Sequence, residues 1–143
     1  ITAYLAQFPG VQQYMKDMKA KMYKKGYVLT MFNRRIYVSG KNKSECERKA
    51  INAPIQGTAS DVNQMALIAI DQIVEECSRD CIIRIFPNNI IHDSIVFEVH
   101  NDEVDITKDF TKKTMETLKL PFDMRGVALK ADVGTGSNFA EAK

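Results

Sequence analysis

Ile90-Ile91-His92-Asp93-Ser94-Ile95-Val96-Phe97-Glu98-Val99-His100 is the stretch on which the reading of this chain turns. The β-branched and aromatic residues on either side of His92-Asp93-Ser94 favour strands, and the short polar residues favour a turn between them. A carboxylate at such a tip is held by rigid strands and open to solvent, which suits a metal ligand. An Asp in a tight turn is also commonplace, so Asp93 does not decide the matter by itself.

Working outward, Asp80 to Val99 reads as a β-hairpin. Pro87 predicts an edge, a bulge or a shortened first strand, because proline cannot donate a ladder bond. Asn101-Asp102 is placed to cap a helix from Glu103 to Leu120 that Pro121 ends, and Val127 to Val133 reads as a last strand. Gly134-Thr135-Gly136-Ser137-Asn138-Phe139 closes the chain, a weak phosphate loop because no helix of useful length follows.

Upstream, Ala50 to Asp61 opens the longest helix, with Pro54 expected in its first turn, where a missing N–H costs nothing. Ile55, Ala59, Val62, Ala66, Ile70, Ile73, Val74 and Cys77 recur in steps of three and four. Leu67 and Ile68 widen that stripe, so the helix is expected to be buried on most sides. Residues 1–8 look like a helix tail broken at Phe8-Pro9-Gly10. A second helix follows, with Val11, Tyr14, Met15, Met18 and Met22 recurring at helical spacing and Gly26 at its C-cap. Tyr27 to Thr30 and Arg35 to Val38 form a hairpin turning at Asn33, and Ser39 to Ser44 is a polar loop.

At 143 residues, 45% hydrophobic and 27% charged, the chain has the make-up of one globular domain with its own core. No apolar run is long enough for a transmembrane helix, and no signal-peptide pattern is present. Cys46, Cys77 and Cys81 lack paired spacing; Cys77 and Cys81 make a weak metal pair, and reduced thiols in a cytosol-like compartment fit better. The chain starts at Ile1, not Met, and is expected to be a piece of something longer. From Tyr14 to Lys49 eleven Lys or Arg stand against three Asp or Glu, a local +8 that leaves −6 elsewhere from the net +2. A basic segment beside an acidic remainder suits a surface that grips a nucleic-acid backbone on one side, and it also describes an ordinary solvated helix face.

Within this basic segment and its continuation, Arg48, Asn52 and Gln56 are four apart and share one helix side. Amides and a guanidinium there can reach the acceptors that every base pair shows in the minor groove, testing pairing geometry without reading sequence. The plain alternative is that Asn52 caps the helix and Gln56 is solvated. Arg34 and Arg35 leave the first hairpin's turn side by side and could hold phosphates.

These stretches together resemble the C-terminal part of the polymerase domain of family A DNA polymerases, the bacterial DNA polymerase I group and its phage relatives. Gly26-Tyr27-Val28 through Thr30 to Arg34-Arg35 resembles the family's hairpin, with Asn33 where Gly is usual. Arg48 with Ala50 to Ala59 is similar to the segment opening the long palm helix. His92-Asp93 with Val96-Phe97-Glu98-Val99 resembles motif C, and Val133-Gly134, Gly136 and Asn138-Phe139 resemble the C-terminal signature, with Phe for Trp.

The resemblance implies an α+β fold, a palm-type antiparallel sheet bearing the motif C hairpin and packed on long helices, with 1–49 a basic helix and hairpin and 50–143 the palm. It implies that Asp93 binds Mg²⁺, one of two ions, and that His92 lies near the primer terminus. Arg48, Asn52 and Gln56 would meet primer-template DNA in the minor groove, in two-metal phosphoryl transfer from a dNTP. Ser94 stands where the family usually has Glu, and a neutral hydroxyl is a poor carboxylate substitute on a hard cation. Neither motif A with the second aspartate nor the fingers helix is in this sequence. The chain alone is therefore expected to be inactive and to need an upstream polymerase segment, covalent or separate, in a bacterial or phage-infected cytoplasm or an organelle. The alternative from another class is a non-catalytic duplex-DNA-binding or assembly module built on the same palm.

Overall fold

The computed structural model describes residues 5–77 and 84–142. Expectations for residues 1–4, for Cys81 and for the start of the motif C hairpin at Asp80 lie outside them. The chain divides into two compact units, Ile1–Asp61 and Val62–Lys143.

In the first unit, α1 spans Pro9–Lys25. Its first position is proline, whose absent N–H lies among donors that have no intrahelical partner anyway. Gly26 ends it at φ 75°, and its N–H bonds the Met22 carbonyl at 2.8 Å. Strands β1 (Tyr27–Leu29) and β2 (Arg35–Tyr37) pair antiparallel with Tyr27 opposite Tyr37 and Leu29 opposite Arg35. Asn33 takes φ 60° in their turn, as expected of an Asn there. Met18, Met22, Val28 and Ala50 form the core, joined by Tyr14, Ile36, Val38, Cys46 and Ala53. Of the apolar stripe on α1, Met18 and Met22 are core and Tyr14 packs against it, while Val11 at its start is exposed.

Helix α2 runs from Lys43 to Cys77, through the end of the first unit and the start of the second. It begins well before the Ala50 expected from sequence, because Asn42 caps it. The Asn42 side chain accepts from the Glu45 N–H at 2.9 Å, and Glu45 reaches back to the Lys41 N–H at 2.9 Å. Pro54 is consequently in the helix interior, not in the first turn, so the Ala50 carbonyl receives no N–H from it. Nor is α2 buried on most sides: Ala66 and Ile70 are buried, while Ile55 and Ile68 are exposed. Periodicity shows where apolar residues recur, but what covers them depends on the neighbours that pack there.

In the second unit β3 (Ile85–Ile91) and β4 (Ser94–Val99) form the hairpin read from sequence, with a register shift between Pro87 and Asn89. A short 3₁₀ turn, Asn101–Glu103, leads into α3, Val104–Glu116. His100, not Asn101 or Asp102, supplies the side-chain acceptor there, to the Asp102 N–H at 3.4 Å. Helix α3 stops at Glu116, short of Leu120 and Pro121. Thr117 is its C-cap, with its N–H at 3.0 Å and its hydroxyl at 2.7 Å from the Lys113 carbonyl. The strand expected over Val127 to Val133 is not formed among the described residues. Strand-favouring residues make no strand without a ladder partner for their backbone.

Candidate nucleic-acid interface

Arg48, Asn52 and Gln56 emerge together on the exposed side of α2. With Ile36, Tyr37, Val38 and Lys49 they line a groove of about 390 Å³ between that helix and β2. Asn52 cannot be the helix cap, since α2 begins nine residues earlier at Lys43. The groove offers amide donors and acceptors and a guanidinium beside the aliphatic walls of Ile36 and Val38, a surface able to meet the edges of flat polar groups.

The groove's shape depends on how closely hairpin and helix approach. At Gly57 a Cβ would come within 2.5 Å of Ile36 Cδ1 and 2.8 Å of Thr30 Cγ2, so any larger residue would force those side chains to shift where the hairpin lies against α2. Next to it, Thr58 Oγ1 donates to the Pro54 carbonyl at 2.6 Å and accepts from the Met31 N–H at 3.0 Å. Tyr14 donates its hydroxyl to the Ile51 carbonyl at 2.8 Å, and burial pushes its pKa up. The stretch around Pro54 is thereby tied both to the hairpin and to α1.

Of the two arginines proposed for phosphates, Arg34 is engaged within the chain. Its Nε bonds Asp61 Oδ1 at 2.7 Å and its Nη2 the Gly57 carbonyl at 3.2 Å. It keeps half of its side-chain surface exposed. Asp61 is nearly buried, and its Oδ2 has no hydrogen-bond partner. Arg35 lies on the outer face of the hairpin with its guanidinium carbon 5.1 Å from the Tyr27 ring centre.

In the second unit, Ile91 pairs with Ser94 and leaves His92 and Asp93 as a two-residue turn. His92 takes φ 56°, a left-handed conformation that costs a non-glycine residue of order 1–3 kcal/mol. Both side chains are exposed, and Ser94 is exposed at the first position of β4. Asp93 therefore presents its carboxylate freely, as sequence suggested. Among the described residues, no three His, Cys, Asp or Glu side chains gather closely enough to hold a metal ion. One carboxylate does not make a divalent-cation site, so the described residues do not by themselves accommodate Mg²⁺.

Sequence reading missed three contributors: Gly57 as the contact point, Asp61 as the partner of Arg34, and Tyr37 as a wall of the groove. It also missed the Asn42 cap, taking residues 39–44 for a loop, although Asn followed three residues later by Glu was a signal for it. The Arg34–Asp61 pair had no such signal, because its members are 27 residues apart and only packing joins them.

The profile of the DNA polymerase family A matches residues 1–141. DNA polymerase I of Pseudomonas aeruginosa is 34% identical over 99% of this chain and 15% of that protein. The Rhizobium leguminosarum enzyme of the same name is 36% identical over 99% of the chain and 14% of its own length. Among solved structures, the POL domain of Pol1 from M. smegmatis, in complex with DNA primer-template and dNTP, superposes with a TM-score of 0.79 at 31% identity. That match covers 97% of this chain and 24% of the solved one. The chain thus spans about a seventh of the length of these curated relatives.

Proposed function

The chain belongs to DNA polymerase family A, and on that premise we propose that it is the C-terminal palm portion of a DNA-directed DNA polymerase. The observation that carries the reading is the joint exposure of Arg48, Asn52 and Gln56 along a groove walled by β2. Asn52 and Gln56 hydrogen-bond minor-groove acceptors of the newest base pairs, and Arg48 holds the strand alongside. Such contacts favour correctly paired ends of any sequence, because acceptors recur at the same place in every pair. His92 lies against the primer terminus, and its strained turn fixes where Asp93 points.

Asp93 supplies one ligand for Mg²⁺. The remaining carboxylate comes from a segment that this sequence lacks, either covalently joined ahead of Ile1 or as a separate subunit. When bound, the ions supply Lewis-acid activation of phosphoryl transfer. This chain's residues orient the duplex end and hold one carboxylate in place. Ser94 adds a hydroxyl but no charge. The same substitution favours a second reading, a palm that binds duplex DNA without catalysing anything.

Primer extension separates the two. The chain alone gives no product in Mg²⁺ and dNTPs. A mixture with an upstream family A segment carrying the second aspartate and the fingers extends primers, and Asp93→Ala abolishes this. A mixture that assembles and binds primer-template yet never extends refutes the catalytic reading and leaves the binding module.

A further inference from the structure

The β1–β2 ribbon turns one face inward, where Val28 is 1% exposed and Ile36 packs beside it. Strand alternation and register put Tyr27, Leu29, Arg35 and Tyr37 on the other face. Tyr27 and Tyr37 meet edge-on with ring centres 5.7 Å apart. The Arg35 guanidinium and the Lys25 ammonium lie 5.1 and 5.9 Å from the Tyr27 ring centre. Tyr37 nevertheless remains 72% exposed.

A cross-strand aromatic pair that merely braced a hairpin would need no more than the Tyr27 contact. Tyr37 has most of its surface in water, next to a Tyr27 ring that two cations approach, and it also lines the groove that holds Arg48, Asn52 and Gln56. The aromatic face is therefore continuous with the surface assigned above to paired DNA. Rings flanked by cations suit unpaired nucleotides, since every base has a π-face and each phosphate a charge. The local +8 of residues 14–49 favours a polyanion over a neutral protein surface.

We propose that Tyr37, braced edge-on by a Tyr27 ring that itself carries Arg35 and Lys25, is a stacking platform for an unpaired template nucleotide next to the duplex end. The neighbouring duplex is the one assigned under the proposed function, so the location rests on that reading. The stacking itself does not.

Fluorescence anisotropy at low salt tests both, using the full chain with labelled oligothymidylate and, separately, with labelled blunt duplex. Tyr37→Ala weakens oligothymidylate binding about tenfold, and blunt-duplex binding by a clearly smaller factor, while Tyr37→Phe retains the single-strand affinity because stacking needs the ring alone. 2-Aminopurine placed in the single strand changes emission on binding to the wild type and to Tyr37→Phe, and not with Tyr37→Ala. The platform is overturned by equal affinity of wild type and Tyr37→Ala for oligothymidylate, by equal losses on both DNAs, or by no binding of oligothymidylate at all. Failure of the duplex reading registers separately, as blunt-duplex binding indifferent to Asn52→Ala and Gln56→Ala while the single-strand arm still reports on Tyr37.

Discussion

At Gly57 a single absent atom sets how closely the hairpin approaches α2. The missing side chain lets Thr30 and Ile36 press against α2, and a Cβ would sit 2.5 Å from Ile36 Cδ1. Gly57→Ala gains helix propensity, but the overpacking outweighs it, and the chain is expected to lose about 1–2 kcal/mol net. Thermal denaturation checks this, and an unchanged or raised Tm would show that the hairpin gives way freely. The Arg34–Asp61 pair acts nearby. Removing either partner costs about 1–2 kcal/mol, below the figure for a fully buried pair because half of Arg34 is in water. A double-mutant cycle with Arg34→Ala and Asp61→Ala should return a coupling energy well above zero, since the residues touch. His92 presents the opposite case, a strained residue kept at a tip. His92→Gly relieves a φ of 56° and leaves stability equal or up to about 1 kcal/mol higher, while primer extension in the assembled enzyme falls. A stabilised variant with full extension would mean that the strained turn serves nothing.

Among the elements, α2 does the most. Its N-terminal half carries the groove residues, and Asn42 and Glu45 secure its start. Asn42→Ala removes the cap and is expected to cost about 1 kcal/mol and to fray the first turn, visible as faster amide exchange at residues 43–46. Protection unchanged there would show that the Cys46 end is held by core packing alone. The interior Pro54 breaks the helix rule locally, and bonds through Thr58, Met31 and Tyr14 fasten the stretch around it to the hairpin and to α1. The hairpin β3–β4 remains a two-stranded ribbon among the described residues, with Phe86, Ile90 and Ile91 exposed. Large apolar side chains left exposed on both faces of a two-stranded sheet with open edges invite further pairing or packing.

For the whole molecule, charge sets the behaviour. Lys49 holds Glu45 below its ordinary pKa, Lys19 and Tyr23 do the same for Glu47, and the Arg84 backbone N–H does so for Glu103. A carboxylate with a lowered folded pKa contributes stability that is present above its unfolded value and is lost as pH falls through the folded one. The melting temperature should therefore hold at neutral pH and drop below about pH 4. A flat profile down to pH 3 would show these pairs to be without weight, as exposed pairs often are. Local chemistry was legible in the sequence: the Gly26 cap, the Asn33 turn, the His92-Asp93 tip, the Pro87 irregularity and the helical spacing of Arg48, Asn52 and Gln56. Each follows from backbone preferences of a few adjacent residues, and family membership came from the same short stretches. What the tertiary structure alone decided was which groups meet across distance. It put Asp61 on Arg34, Gly57 under Ile36, and Tyr37 at the rim of the groove, left Ile55 and Ile68 uncovered, and left residues 127–133 without a ladder. Those outcomes depend on packing between segments far apart in the chain, and residue periodicity carries no record of which neighbour will fill the space.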